Sequence, residues 1–162
     1  MIKETTGEIT LIPENIPEEL TERSQWVCWR YEERDDDTTK VPYTVTGYRA
    51  SSTNPDDWSS FGDVLAAYEL GNYDGIGFVF SEDDPYAGID LDKCRDPETG
   101  DVEPWAREIL KRVCDGHVEI SPSGTGIHII VEATVRDGGM RRGPIEMYSR
   151  DRFFTITGVS LL

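Results

Sequence analysis

Asp90 and Asp92 stand one residue apart in the run Tyr86-Ala-Gly-Ile-Asp-Leu-Asp92. That is the spacing of two carboxylates on one face of an extended strand, with Ile89 and Leu91 turned the other way into apolar surroundings. Carboxylates held side by side repel each other unless a cation lies between them. Hard divalent ions that prefer oxygen, such as Mg2+ or Mn2+, suit such a pair. The plain alternative is a solvated strand end in a chain rich in acid. A calcium loop of the EF-hand kind does not fit. The sixth position counted from Asp90 is Arg95 and from Asp92 is Pro97, where that loop needs glycine.

Two further segments carry groups that could serve phosphate chemistry. In Glu119-Ile-Ser-Pro-Ser-Gly-Thr-Gly-Ile-His128, the residues Ser121, Ser123, Gly124, Thr125 and Gly126 make a small, hydroxyl-rich turn. Backbone N–H groups and hydroxyls of such a turn can face phosphate oxygens, although an ordinary hairpin loop has the same composition. It is not a Walker A loop, because no Gly-Lys-Ser/Thr follows. His128 lies two residues past the turn, on the strand face opposite Ile127, Ile129 and Val131, where it could donate to a triphosphate. In Pro144-Ile-Glu-Met-Tyr-Ser149, alternation sets Glu146 and Tyr148 against Ile145 and Met147. Glu146 is thus a third candidate metal carboxylate, against the alternative of a surface glutamate. Arg152, just beyond, is a plausible phosphate clamp.

The elements that must position these groups read as a mixture of helices and strands. A short helix is expected from Pro17 to Arg23 and another over Ser59 to Leu70, with Asn54 to Asp57 supplying turn and capping residues. A third helix opens at Pro104 and runs to about Cys114. Strands are expected over Gln25 to Glu32, Lys40 to Val45, Gly75 to Phe80 and Ala87 to Asp92, the last two pairing through the turn Ser81 to Tyr86. Further strands follow over Val118 to Ser121, Ile127 to Val135, Ile145 to Ser149 and Arg152 to Thr157. The class is α+β, with a mainly antiparallel sheet and flanking helices.

A chain of 162 residues suits one domain. It has no apolar run of membrane-spanning length and no signal-peptide pattern at its start. Cys28, Cys94 and Cys114 are scattered and read as reduced thiols. A cytoplasmic protein with no membrane partner is the expectation. Acid outnumbers base 32 to 16, for a net charge of −16. On its face that argues against nucleic acid, which calls for a basic footprint. The acid is dispersed along the chain, and only Lys3, Lys40, Lys93 and Lys111 are lysines. That pattern fits the surface of a halophilic protein, in which salt screens self-repulsion. The charge therefore excludes neither a nucleotide nor DNA.

The ordered set Asp90-Leu-Asp92, Gly126-Ile-His128 and Ile145-Glu146 resembles the primase–polymerase (prim-pol) catalytic domain of the archaeo-eukaryotic primase superfamily, in its phage and plasmid replication-protein form. Flanking runs strengthen the likeness, among them Gln25-Trp-Val-Cys-Trp29, Lys40-Val-Pro-Tyr43, Asn54-Pro-Asp-Asp-Trp58 and Arg152-Phe-Phe-Thr-Ile-Thr-Gly158. The resemblance covers roughly Ile12 to Gly158. It implies a catalytic core related to RNA-recognition-motif folds. It also implies that residues 1–162 are a single catalytic domain, the N-terminal part of a longer replication protein. Asp90, Asp92 and Glu146 would be the catalytic, Mg2+- or Mn2+-binding acids. Ser121, Ser123, Gly124, His128 and Arg152 would contact the incoming nucleotide. Implied partners are nucleoside triphosphates, a single-stranded DNA template, and a helicase or helical accessory domain in the same or a neighbouring chain. Lys40 is left between a nucleotide- or template-facing role and a plain edge-strand position.

Two other readings remain. One is a non-catalytic nucleotide- or nucleic-acid-binding remnant of a replication protein. The other, a metal-dependent nicking enzyme, would want a His-x-His unit, whereas His117 and His128 are the two histidines of the chain.

Overall fold

The computed structural model describes residues 11–113 and 115–161. Cys114 and the N-terminal residues 1–10, on which the reading of the chain's start rests, lie outside them, as does residue 162. Strands β1 (Trp26–Arg34), β2 (Asp37–Tyr43), β3 (Gly75–Phe80), β4 (Tyr86–Leu91), β5 (His117–Ile120), β6 (Ile127–Glu132), β7 (Gly139–Arg142), β8 (Ile145–Tyr148) and β9 (Arg152–Ile156) are joined by α1 (Glu18–Thr21), α2 (Phe61–Glu69) and α3 (Pro104–Arg112). The α+β class with antiparallel pairing is as the sequence leads one to expect, but the strands divide into two sheets. One runs β2-β1-β3-β9 and the other β5-β6-β4-β8-β7.

The division corrects one pairing. β3 and β4, expected as a hairpin, lie in different sheets: β3 pairs with β1 and β9, and β4 with β6 and β8. The reason lies in Ser81–Pro85. Asp84 accepts from the N–H groups of Ser81 and Tyr86 (2.8 and 2.7 Å) and from the Gln25 amide (2.8 Å). These bonds fix a corner that turns the chain out of one sheet and into the other.

Elsewhere the boundaries shift for local reasons. The charged segment from Glu33 to Thr39, between the two expected strands, is mostly strand. Asp35 and Asp36 both take positive φ (46° and 68°) and close a two-residue hairpin between Arg34 and Asp37, a backbone that aspartate tolerates. Asn54 caps a short 3-10 turn, while Ser60 caps α2 by accepting from the Asp63 N–H at 3.2 Å. β4 stops at Leu91 and β6 at Glu132. β7 carries no β-rich signature in the sequence and is a further strand, short, mostly exposed and at the sheet edge.

Two cores result. Trp26, Cys28, Ile76, Phe78 and Phe80 pack with Val64 of α2 and with Phe154 of β9. Ile89, Leu91, Ile127 and Ile129 pack with Ala106 of α3, so α3 covers one face of the five-stranded sheet. The buried indoles are satisfied: Trp26 donates to the Leu20 carbonyl at 2.9 Å and Trp29 to the Ile76 carbonyl at 3.0 Å. Burial pushes the Cys28 thiol up to about 12 and the Cys94 thiol up to about 11, which leaves both protonated and unreactive. No helix among the described residues is long and apolar enough to cross a membrane.

The sheets meet at Gly88. A Cβ there would stand 2.6 Å from Phe80 Cζ and closer still to the Phe154 ring, so only glycine lets the two phenylalanines lie on β4. β9 continues across the five-stranded sheet. It touches β6 through His128, β4 through Gly88 and β8 through Tyr148, and Thr157 just beyond its end bonds Glu119 of β5.

Candidate active site

Strand alternation and register together build a row of polar side chains. Asp90 on the central strand β4 lies opposite His128 on β6 and opposite Glu146 on β8. Glu119 lies opposite His128, and Arg141 of β7 opposite Glu146. The row Glu119–His128–Asp90–Glu146–Arg141 therefore crosses the whole sheet on the face away from α3. Residues directly opposed in antiparallel strands have Cβ atoms about 5 Å apart, so Asp90 has a histidine on one side and a second carboxylate on the other.

His128 is buried and its orientation is fixed at both nitrogens. Nδ1 lies 3.0 Å from the Thr155 carbonyl of β9 and can only donate to it. Nε2 faces Asp90 Oδ1 at 3.5 Å. Burial opposes a charge on the ring, but Asp90 outweighs it, helped by Glu119 and the Thr155 carbonyl, and the His128 pKa is raised. Burial likewise pushes the Asp90 carboxyl upward, yet His128 and Lys40 carry it below its ordinary range. The stabilising contribution of His128 is present below the ordinary imidazole range and fades as pH rises through its raised pKa. That of Asp90 is present above the ordinary carboxylate range and fades as pH falls through its lowered one. The pair thus contributes fully between roughly pH 4 and 6.5. Replacing Asp90 by asparagine is expected to lower the His128 pKa, because burial then loses its main opponent. An NMR titration of the imidazole checks this, and an unmoved midpoint would contradict the pairing.

Asp92 lies past the strand end. Its N–H donates to the Pro144 carbonyl at 2.8 Å, and its side chain is exposed. Among the described residues no group of three or more His, Cys, Asp or Glu side chains stands close enough to hold a metal ion together. Asp90 and Glu146 are brought directly opposite each other, and Asp92 follows at the end of β4. Lys40 of β2 is within electrostatic reach of both aspartates; burial lowers its pKa although they favour its charge. Sequence reasoning leaves Lys40 open because which strands face each other across the molecule is not a local property.

The turn between β5 and β6 is tied into itself. Ser121 Oγ accepts from the Gly126 N–H (3.0 Å) and meets Ser123 Oγ (3.1 Å), which in turn meets Thr125 Oγ1 (2.8 Å). Gly124 takes φ 78°, and its N–H donates to the Ser121 carbonyl at 2.9 Å. Hydroxyls, more than free backbone N–H groups, are what this turn presents. Arg95 reaches it from the other side and donates to the Gly124 carbonyl at 2.8 Å.

Arg152 does not join that turn. Its guanidinium lies over the Tyr148 ring, 4.6 Å from the centroid, on the β8 flank of the carboxylate pair. Two members of the row, Glu119 and Arg141, are not singled out by the sequence. Glu119 is fully buried. It accepts from the Thr157 N–H (2.8 Å) and the Gly158 N–H (2.9 Å) and meets His117 Nε2 (2.8 Å). The sole sequence signal for it is its place two residues before the serine turn.

No family model matches the chain. The chain is similar to a DNA primase-polymerase of Nitratiruptor phage NrS-1, with 36% identity over 146 residues. The match covers 86% of this chain and 20% of the phage protein, so the chain spans about one fifth of that relative's length.

Proposed function

The chain belongs with the primase–polymerase domains of phage type, and on that premise we propose that it is the nucleotidyl-transfer domain of a DNA replication protein. The observation that carries the reading is the opposed pair Asp90 and Glu146 at the centre of a polar row, with His128 beside it. Two directly opposed carboxylates are a hard oxygen donor set. Mg2+ binds through one or two carboxylates and completes its shell with water and substrate phosphates, so the residues fit Mg2+ or Mn2+ without a third protein ligand in the cluster. Asp92, at the strand end and within reach of the same Lys40, is the proposed third acid. Bound there, the metal would supply electrostatic stabilisation of the attacking and leaving oxygens.

The chain's own groups then have distinct tasks. His128, its Nδ1 held by the Thr155 carbonyl, keeps Nε2 at the rim of the pair and donates to a phosphate oxygen of the incoming triphosphate when protonated. The Ser121 and Ser123 hydroxyls, with the backbone around Gly124, line the phosphate path on the same flank. Lys40 offsets negative charge gathered near Asp90 and Asp92. A primer 3′-hydroxyl, or an initiating nucleotide, attacks the α-phosphate, and pyrophosphate leaves. The single-stranded template and a helicase or helical accessory domain are the proposed partners.

Primer extension tests the reading. The chain, with a labelled primed template, deoxynucleotides and Mg2+ or Mn2+ in dilute and in molar salt, is expected to extend the primer, and a chelator is expected to stop it. Triphosphate binding seen by calorimetry, without extension under any of these conditions, would replace the proposal by a non-catalytic binding domain.

A further inference from the structure

The basic residues of the chain are not spread as its acids are. Residues 136–152 hold Arg136, Arg141, Arg142, Arg150 and Arg152 against Asp137, Glu146 and Asp151. The remainder of the chain has eleven basic and 29 acidic residues (16 less five, 32 less three). This positively balanced segment forms β7, β8 and the start of β9, adjoining Glu146. It encloses a groove of about 450 Å3 lined by Gly139, Arg141, Glu146, Tyr148, Arg150 and Arg152.

These guanidiniums are only loosely engaged. Arg141 lies 3.5 Å from Glu146, and Arg150 lies 3.6 Å from Glu82 and 3.9 Å from Asp151. Tight charge-assisted bonds run to about 2.7–2.9 Å, the distance that Arg49 makes with Glu32 elsewhere in the chain (2.7 Å). Arg141 is three-quarters exposed, whereas Arg142, its neighbour on β7, alternates to the other face and does not line the groove. Tyr148, with Arg152 over its ring, adds a flat aromatic surface to the groove. Arginines lining an open groove are suited to a nucleic-acid backbone.

Place in the sheet decides which part of the substrate goes there. The strand order β5-β6-β4-β8-β7 puts the serine turn and His128 on one side of Asp90, and Glu146, Tyr148 and Arg141 on the other. In-line transfer needs the triphosphate and the attacking hydroxyl on opposite sides of the carboxylates. Resting on the nucleotidyl-transfer reading above, we propose that the β7–β8 groove binds the phosphodiester backbone of the growing strand next to its 3′ end, with Arg141 and Arg150 as its contacts.

Anisotropy of a labelled primer–template, measured without turnover across a salt series, tests this directly. The double substitution Arg141→Ala/Arg150→Ala is expected to weaken binding about tenfold or more. It should also flatten the log–log salt slope by about 0.7 to 0.9 for each phosphate no longer neutralised. Arg107→Ala/Arg112→Ala removes the same charge from exposed positions on α3, across the sheet, and is expected to leave both quantities near those of the parent. Triphosphate affinity by calorimetry is expected to be unchanged in both. Equal weakening by the two pairs, an unchanged salt slope in the groove variant, or loss of triphosphate affinity with strand binding intact would each overturn the assignment. A parent chain that binds the strand through the groove yet extends nothing would leave this inference standing and remove the catalytic reading. Extension with unchanged primer KM in the groove variant would do the reverse.

Discussion

Asp90→Asn is expected to reduce nucleotide incorporation by about a thousandfold or more, the scale on which loss of one well-placed electrostatic group acts in a catalytic site. The substitution keeps size and shape, so strand pairing and the row of side chains survive. What disappears is the charge at the one position that adjoins both His128 and Glu146. Its structural cost is limited at neutral pH, because Asp90 is only partly buried and the asparagine amide can still face His128 Nε2. A melting curve close to that of the parent, beside an incorporation rate at background, is the expected combination. Incorporation within tenfold of the parent would remove Asp90 from the proposed chemistry.

The second large effect is on stability. Glu119→Ala is expected to cost roughly 3 kcal/mol or more, since it leaves two buried backbone N–H groups, those of Thr157 and Gly158, without an acceptor and strips His117 of its partner. For a chain of this size that corresponds to a fall in melting temperature of roughly 6–12 °C. Glu119→Gln retains an acceptor for one of the N–H groups and is expected to fall between. Calorimetry on the three proteins is the measurement, and a melt unmoved by the alanine would show that this carboxylate does not anchor the end of β9.

How much of this is legible beforehand depends on whether a property is local. A side-chain period of two is local, so the polar face carrying Asp90, His128 and Glu146 can be read from the sequence, as can the apolar partners Ile89, Leu91 and Ile129 behind it. Register is not local. That Asp90 faces both His128 and Glu146, and that Glu119 and Arg141 end the row, depends on pairings between segments tens of residues apart. The β3–β4 link misleads because a short acidic turn between two strands has the composition of a hairpin. The Asp84 bonds that make it a corner involve Gln25, far away in the chain.

β9 closes the four-stranded sheet by pairing Ile156 with Ile76 and Phe154 with Phe78, and it also carries the carbonyl that orients His128. Loop-closure entropy for so long a separation has to be met before the pairing yields anything. During synthesis, β1, β2 and β3 leave the ribosome well before their last partner exists, with the β3 edge unpaired and its Phe78 and Phe80 uncovered. The nascent chain therefore passes through a stage with an open, apolar strand edge, the form of intermediate most exposed to misassembly. The carboxylate pair is set by β4–β8 pairing, whereas His128 gains its fixed orientation only once β9 supplies the Thr155 carbonyl.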